Sequence, residues 1–312
     1  MSLSKPMIVA TSEAPKKEVD MAKILKKAKD SALRGGLSGA AAMAINVGAL
    51  MWMRTTVNFQ YKYGMGTTEA LRHIYNDGGR GLSGVLRFYK GVGPALIQGP
   101  LSRFGDTAAN DGAMALMDAL PMFEDTPTFV KSIGCSAAAA SFRIFLMPVD
   151  CLKTTMQVEG SKGIGLLGAK IKAGGPGVLW HGALGVVSAT FVGHYPWFFT
   201  RNQLQEILPK YDRKTETLNY LGVAAIIGFC ASAVSDTCSN SIRVLKTTKQ
   251  TAEFPITYTQ AFRQVVDKDG ISGLMFRGLK TKIISNGFQG LLFNVLWRTI
   301  SDAMAEREKA AK

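Results

Sequence analysis

The chain has 312 residues, of which 47% are hydrophobic, and its mean hydropathy is slightly positive at +0.10. This length fits two soluble domains or one membrane domain. The formal net charge of +14 favours nucleic acid, anionic lipid or anionic solutes as partners. The basic residues fall in several clusters between apolar segments, not in one patch with exposed aromatics, which argues against nucleic acid.

Residues 1–30 form a basic tail. They contain no continuous apolar core, so the sequence predicts no secretory signal. Their acidic residues (Glu13, Glu18 and Asp20) argue against a cleaved mitochondrial transit peptide. The run MAKILKKAKD at 21–30 predicts a basic helix that either lies on a lipid surface or begins a solvated helix.

Six apolar segments follow the tail, and each is long enough to cross a bilayer as a helix of about 20 residues. They are residues 31–53, 92–118, 129–152, 183–206, 218–245 and 279–303. Polar residues interrupt them, which a bundle around a wet cavity tolerates and a single helix in lipid does not. The alternative is a soluble helical repeat protein, but it needs polar outer faces that these segments largely lack.

Two short tags recur along the chain. A base-Thr-Thr tag is found as RTTVN at 54–58, KTTMQ at 153–157 and KTTKQ at 246–250. An aromatic tag ending in glycine is found as FYKG at 88–91, LWHG at 179–182 and MFRG at 275–278. Both tags repeat at intervals of about 95 residues, which predicts three tandem units. The predicted domains are the tail at 1–30, units at 31–120, 121–214 and 215–305, and a second tail at 306–312.

Charge differs between the connections that join the apolar segments. The stretch from Arg54 to Lys90 carries six bases and two acids, whereas the connection at 118–131 is net acidic. Loops rich in lysine and arginine stay on one side of a membrane. This bias predicts that the tagged loops share one side and that both termini lie on the other.

The middle unit closes its first apolar segment with P-x-D-x-x-K, formed by Pro148, Asp150 and Lys153. With this motif and the two tags, residues 31–305 resemble the mitochondrial carrier family. The resemblance implies an all-α membrane protein whose six transmembrane helices form three tandem two-helix repeats in a pseudo-threefold bundle, with short matrix-side helices. It also implies a multi-pass protein of the mitochondrial inner membrane, with both termini on the intermembrane-space side.

The resemblance further implies a gate on the matrix side. In the family, the proline kinks the first helix of each repeat, since it removes a backbone hydrogen bond, and acids pair with bases of neighbouring helices. Here the other two units have Ala49 and Ser241 at the proline position, and Met51 and Arg243 at the acid position. The expected pair joins Asp150 to Lys246 or to Arg243. The predicted gate residues are Pro148, Asp150, Lys153, Arg54, Arg243 and Lys246.

In the family, the aromatic tag opens the second helix of each repeat and helps to hold cardiolipin, because backbone N–H groups at a helix start favour phosphate. In the middle unit His181 replaces the usual base. The resemblance therefore implies lipid-binding residues at Tyr89, Lys90, Gly91, Trp180, Gly182, Phe276, Arg277 and Gly278.

Family members choose their solute mainly at two positions, seven and eight residues after each tag glycine. These contact positions are uncharged here: Gln98, Gly99, Ala189, Thr190, Ser285 and Asn286. Arg143 and Asp236 correspond in depth on neighbouring helices. They form either a buried ion pair that stabilises packing or a site for the two ends of a zwitterion. Arg103 and His194 are further cavity candidates, with aromatic packing as the alternative for His194.

The sequence thus predicts a carrier that moves a small neutral or zwitterionic solute by alternating access with degenerate gates. The alternative is a carrier fold without transport, which serves as a structural or interaction subunit of a membrane assembly with protein partners. A peroxisomal or plastid membrane is an alternative location. An enzyme is not predicted, since there is no catalytic motif, no cofactor motif and no histidine at metal-ligand spacing.

Overall fold

The computed structural model describes residues 21–119, 126, 134, 137, 140–212 and 215–310. Nearly all of this part of the chain is helical and none of it forms a strand, which confirms the all-α prediction for these residues. The helices are α1 (Met21–Tyr63), α2 (Thr67–Asp77), α3 (Gly81–Arg87), α4 (Val92–Ala119), α5 (Met147–Glu159), α6 (Gly163–Gly174), α7 (Ala183–Ile207), α8 (Thr217–Thr251), α9 (Tyr258–Phe276) and α10 (Leu279–Ala310).

Two helical stretches among the described residues are long and apolar enough to cross a membrane, Pro176–Ile207 and Thr217–Thr251. They contain the predicted segments 183–206 and 218–245. The long helices α1, α4 and α10 cover 31–53, 92–118 and 279–303. Segments 92–118 and 279–303 each contain four charged residues, against two in 183–206 and two in 218–245, which lowers their hydropathy. Much of the predicted segment 129–152 lies outside the described residues.

The first helices of the three predicted units, α1, α5 and α8, are called the leading helices below. Contacts between side chains join each pair of them. Asn58 of α1 donates to Gln157 of α5 at 2.5 Å, and the Tyr61 hydroxyl of α1 lies 3.1 Å from the Asn240 side-chain oxygen of α8. An ion pair of Asp150 with Lys246 joins α5 to α8. The C-terminal halves of the leading helices therefore converge on one another.

The second helices, α4, α7 and α10, are called the trailing helices. Helix α4 packs against α1 and α5, α7 packs against α8, and α10 packs against α8 and α1. Two tag glycines lie at close approaches to the leading helix of another unit. A Cβ atom on Gly91 would lie 3.0 Å from the Lys153 carbonyl oxygen, and one on Gly278 would lie 3.1 Å from the Tyr61 ring.

The backbone at Gly91 also requires glycine, because its φ is +86°. We expect Gly91→Ala to lower the free energy of unfolding by about 1–3 kcal/mol, the usual cost of a side chain held in that region. Gly93→Ala is the matched control, since nothing lies within 4 Å of a Cβ there and alanine is favoured over glycine inside a helix. Thermal unfolding measures both variants, and equal melting temperatures would contradict the prediction.

The leading helices differ in how they bend near the motif position. Leu146 forms a turn before α5, which begins at Met147 and holds Pro148 in its first turn. Helix α1 is kinked at Leu50 (φ −113°, ψ 17°), although the preceding Ala49 stands where the motif has proline. Helix α8 runs from Thr217 to Thr251 as one element. A kink at this level therefore does not require the proline.

Three basic side chains each bind two backbone carbonyl groups near the C-terminal end of a leading helix, and we call these contacts the inter-unit ties. They join Arg87 to Gln157 and Val158 (3.0 and 2.7 Å), Lys170 to Lys249 and Gln250 (2.9 and 3.1 Å), and Arg277 to Tyr61 and Lys62 (both 3.4 Å). The last carbonyls of a helix lack partners within the helix and carry the negative end of its dipole. Each tie therefore stabilises a helix end of the neighbouring unit.

The tie made by Lys170 predicts a dependence of stability on pH. Burial lowers the pKa of Lys170 from 10.5 to about 8. Between these values the unfolded chain binds more protons than the folded chain, so stability rises with pH across this window. We expect the melting temperature of the unmodified protein to rise, relative to that of Lys170→Met, from about pH 7.5 to about pH 9.5. A constant difference between the two proteins across this range would contradict the assignment.

Candidate functional site

A cavity of about 420 Å³ lies among the leading helices and the trailing helices that cover them. Five of the six predicted contact positions line it: Gln98, Gly99, Ala189, Thr190 and Ser285. The sixth, Asn286, lines an adjoining cavity, and both cavities share the residues Met43 and Gln289. The spacing after the tag glycines thus leads to residues that line one cavity or its neighbour.

Basic side chains dominate the charged lining of the first cavity. They are Arg54, Arg143, Lys153, Arg243, Lys246 and Lys282. Asp150 is the one carboxylate among the described residues that line it. Lys282 was missed in the sequence, although it lies one helical turn before Ser285 and therefore on the same face of α10.

Asp150 is at the centre of a charged cluster where α5 meets α8. Its two oxygens accept hydrogen bonds from Lys153 of its own helix and from Lys246, each at 2.7 Å. Gln250 donates to the second oxygen at 3.4 Å. The carboxylate is 9% exposed, and the two lysine side chains are 14% and 17% exposed. The three charged groups of this cluster, together with Asn58 and Gln157, line the cavity.

Arg54, the corresponding base of the first unit, contacts neutral groups. Its guanidinium donates to the side-chain oxygens of Gln289 at 2.5 Å and of Asn46 at 3.3 Å. Gln289 in turn donates to Ser285 at 2.7 Å. Because these partners belong to α1 and α10, the described contacts of Arg54 lie between those two helices and not with Asp150.

Asp236 and Arg143, which the sequence places at one depth, have different described contacts. Asp236 is 6% exposed, accepts a hydrogen bond from Asn286, and lies 3.8 Å from the Arg243 guanidinium. Arg143 donates to Thr190 at 3.4 Å. Lys282 donates to the side-chain oxygen of Asn286 at 3.0 Å. Asp236 is therefore engaged by α8 and α10.

His194 and Arg103 are the two further residues that the sequence suggests for the cavity. The His194 ring meets the Phe198 ring edge-on, with 5.9 Å between the ring centres. Aromatic packing of this kind is the alternative that the sequence analysis gives for His194. Arg103 lies in α4, but its side chain is outside the described part of the chain.

The third tag lines a groove of about 630 Å³ between the start of α2 and the start of α10, through Phe276, Arg277 and Gly278. Arg277 was expected to hold a lipid phosphate there, but its side chain is 3% exposed and pairs with Asp269 at 2.6 Å. Its role is thus revised from lipid ligand to inter-unit tie. Lys280, which the sequence did not single out, is exposed in the same groove.

The second and third tags each keep an aromatic side chain near the surface. Phe276 is 63% exposed and Trp180 is 43% exposed. The Trp180 ring nitrogen donates to the Ile144 carbonyl at 3.1 Å. Tyr89 and Lys90 are half-buried, and Gly182 is buried beside Gln250.

Comparison with known protein families gives a match to part of the chain. Residues 219–307 match the family model described as mitochondrial carrier protein. The matched residues cover nearly all of the third unit, from α8 into α10. No curated protein matches the chain.

Proposed function

We propose that this chain, whose residues 219–307 match the mitochondrial carrier family, carries a small solute across the mitochondrial inner membrane. Proteins of this family are transporters, typically of that membrane. The observation that carries the proposal is a cavity lined by five contact positions and by the ion pairs of Asp150 with Lys153 and Lys246.

The proposed architecture is six spanning helices in three repeats about a pseudo-threefold axis, with both termini on the intermembrane-space side. Two features that recur in all three units support it. Side-chain contacts join each pair of leading helices, and one inter-unit tie reaches each leading helix. A linear arrangement of the units would leave one pair of leading helices apart, whereas α1 contacts both α5 and α8.

The proposed matrix gate is the cluster around Asp150. Alternating access requires α5 and α8 to separate there, which breaks the ion pair with Lys246. Because a single carboxylate serves two lysines and Arg54 is engaged elsewhere, fewer charge pairs hold this gate than in a ring of three acid–base pairs. We propose that it opens at a correspondingly lower energetic cost, which is the physical meaning of a degenerate gate here.

The test is uptake of labelled metabolites by proteoliposomes that contain the purified chain and cardiolipin. We expect uptake of at least one solute, and a lower rate in variants of the cavity lining. Lys172→Gln is the matched control, since this exposed lysine on α6 lies away from the cavity. Uptake by no member of a broad panel, from a protein that remains folded, would contradict transport.

The zwitterion hypothesis makes a separate prediction. A solute that bridges Arg143 and Asp236 must displace Asn286 and Arg243 from the carboxylate. If the solute is a zwitterion held in this way, Arg143→Ala and Asp236→Ala each reduce its uptake by at least about tenfold, since a charge-assisted hydrogen bond contributes well over 1.4 kcal/mol. Unchanged uptake in both variants would exclude this site.

A second candidate is a carrier fold that acts as a structural subunit of a membrane assembly. The motif losses at Ala49, Met51 and Ser241 favour it. Cardiolipin is the proposed lipid for either role, with its phosphate at the groove beside Lys280. A folded chain that cardiolipin stabilises, and that neither binds nor moves any solute, would support the structural role over transport.

A further inference from the structure

The two adjoining cavities differ in chemistry. The first is the basic cavity described above, and the second, of about 620 Å³, we call the apolar cavity. Its lining is mainly apolar, with the large side chains Met43, Trp197, Ile226, Phe229, Leu291 and Phe293. Its polar groups are few: Asn46, Ser232, Asn286 and Gln289. Sites for small organic ligands have this composition, an apolar wall with a few polar groups that orient the ligand.

Two basic side chains, Arg54 and Lys282, lie where these cavities adjoin. Gln289, which lines both, accepts a hydrogen bond from Arg54, and Asn286 of the apolar cavity accepts one from Lys282. Both cations line the basic cavity and are half-buried. Their described hydrogen-bond acceptors are amide oxygens and, for Arg54, a methionine sulfur as well.

A hydrogen bond to a neutral acceptor offsets only part of the hydration free energy that a cation loses when it is buried. An anion between Arg54 and Lys282 would form charge-assisted hydrogen bonds with both, and these are about twice as strong as neutral ones. The carboxylates nearby are already engaged, Asp150 with two lysines and Asp236 with Arg243 and Asn286. The junction therefore favours an anionic group over an ammonium group.

We propose that the solute is an organic anion with an apolar body. Its carboxylate or phosphate binds Arg54 and Lys282 at the junction, and its apolar part lies against Trp197 and Phe229 in the apolar cavity. This inference rests on the proposed carrier function and narrows its solute class. It replaces the neutral or zwitterionic solute predicted from the contact positions, because those positions do not include either cation.

Three probes separate the two parts of this solute: 3-phenylpropionate has both, propionate has the anionic group alone, and 3-phenylpropan-1-ol has the apolar body alone. Each is added to the full-length protein in detergent with cardiolipin, and the melting temperature is followed. A ligand that binds the folded state raises it. Propionate lacks the phenyl group whose burial favours binding, and 3-phenylpropan-1-ol lacks the charge that would pair with the two cations. We therefore expect each of these two probes to need at least about tenfold higher concentrations for the same shift.

Two variants test the assignment of residues. Lys282→Gln should weaken 3-phenylpropionate by about tenfold and leave 3-phenylpropan-1-ol unchanged. Trp197→Ala should weaken 3-phenylpropionate and leave propionate unchanged. The matched controls are Lys172→Gln and Phe254→Ala, both at exposed positions outside the two cavities. The comparison of the three probes on the unmodified protein tests the solute class without any variant, so it remains a test even where a variant fails to fold.

Equal potency of the three probes, or no shift with 3-phenylpropionate, would overturn the proposed solute class. Proteoliposome uptake of labelled 3-phenylpropionate, glycine and glutamine then tests the carrier function separately from the organic-anion solute. Uptake of a zwitterion with 3-phenylpropionate inert leaves carrier function in place and removes only the organic anion. No binding and no uptake of any of them, by a protein that cardiolipin stabilises, would count against both.

Discussion

Asp150→Ala is expected to lower the free energy of unfolding by about 3–5 kcal/mol, the usual cost of removing one partner from a buried ion pair. The carboxylate is 9% exposed and lies 2.7 Å from both Lys153 and Lys246. Without it, two ammonium groups remain close together in a poorly hydrated place. Thermal unfolding in detergent with cardiolipin measures the loss as a lower melting temperature.

The double variant Asp150→Ala with Lys246→Ala distinguishes this charge pair from a general packing effect. Residues in contact are non-additive by about 0.5–3 kcal/mol, so the double variant should be more stable than the two single losses together predict. Asp267→Ala removes an exposed carboxylate on α9 and is the control. Strict additivity between Asp150 and Lys246 would show that the pair does not contribute as an ion pair.

The same variant tests the proposed gate. If separation of α5 from α8 opens the matrix end, removal of Asp150 should increase uncoupled solute leak in proteoliposomes while the protein stays folded at the assay temperature. Leak equal to that of the unmodified chain would separate the structural role of Asp150 from gating.

Arg277→Ala is expected to have an effect of similar size, about 3–5 kcal/mol. The guanidinium is 3% exposed, pairs with Asp269 at 2.6 Å and lies 3.4 Å from two carbonyl oxygens at the end of α1. Its removal leaves a carboxylate and a helix end without their donor. Arg277→Lys keeps the charge but not the forked geometry of the guanidinium. Its free energy of unfolding should therefore lie between those of Arg277→Ala and the unmodified protein. Arg263→Ala, at an exposed position of α9, is the control.

Cardiolipin titration separates the two roles considered for Arg277. If it is a tie and not a lipid ligand, Arg277→Ala lowers the melting temperature but keeps the rise that cardiolipin produces. Lys280→Ala should reduce the rise that cardiolipin produces, because this side chain is exposed in the groove. It should change the melting temperature of the lipid-free protein little. Loss of the cardiolipin effect in Arg277→Ala alone would reverse the assignment.

The sequence by itself determined the helical class, the recurrence of both tags and the contact positions that surround the cavity. These features are readable because they are local: hydropathy over about 20 residues marks a helix long enough to span, and a fixed offset from a tag glycine selects a helix face. The family match at residues 219–307 confirms the resemblance drawn from the tags.

Only the tertiary structure decided which charges meet. Asp150 contacts Lys246, Asp236 contacts Asn286 and Arg243, and Arg54 contacts Gln289, which is 235 residues away along the chain. It also revealed the cavity position of Lys282 and the kink at Leu50 beside an alanine. A side chain's partner depends on the relative rotation and axial position of helices from different units. Those quantities come from packing across the whole bundle, and no local pattern encodes them.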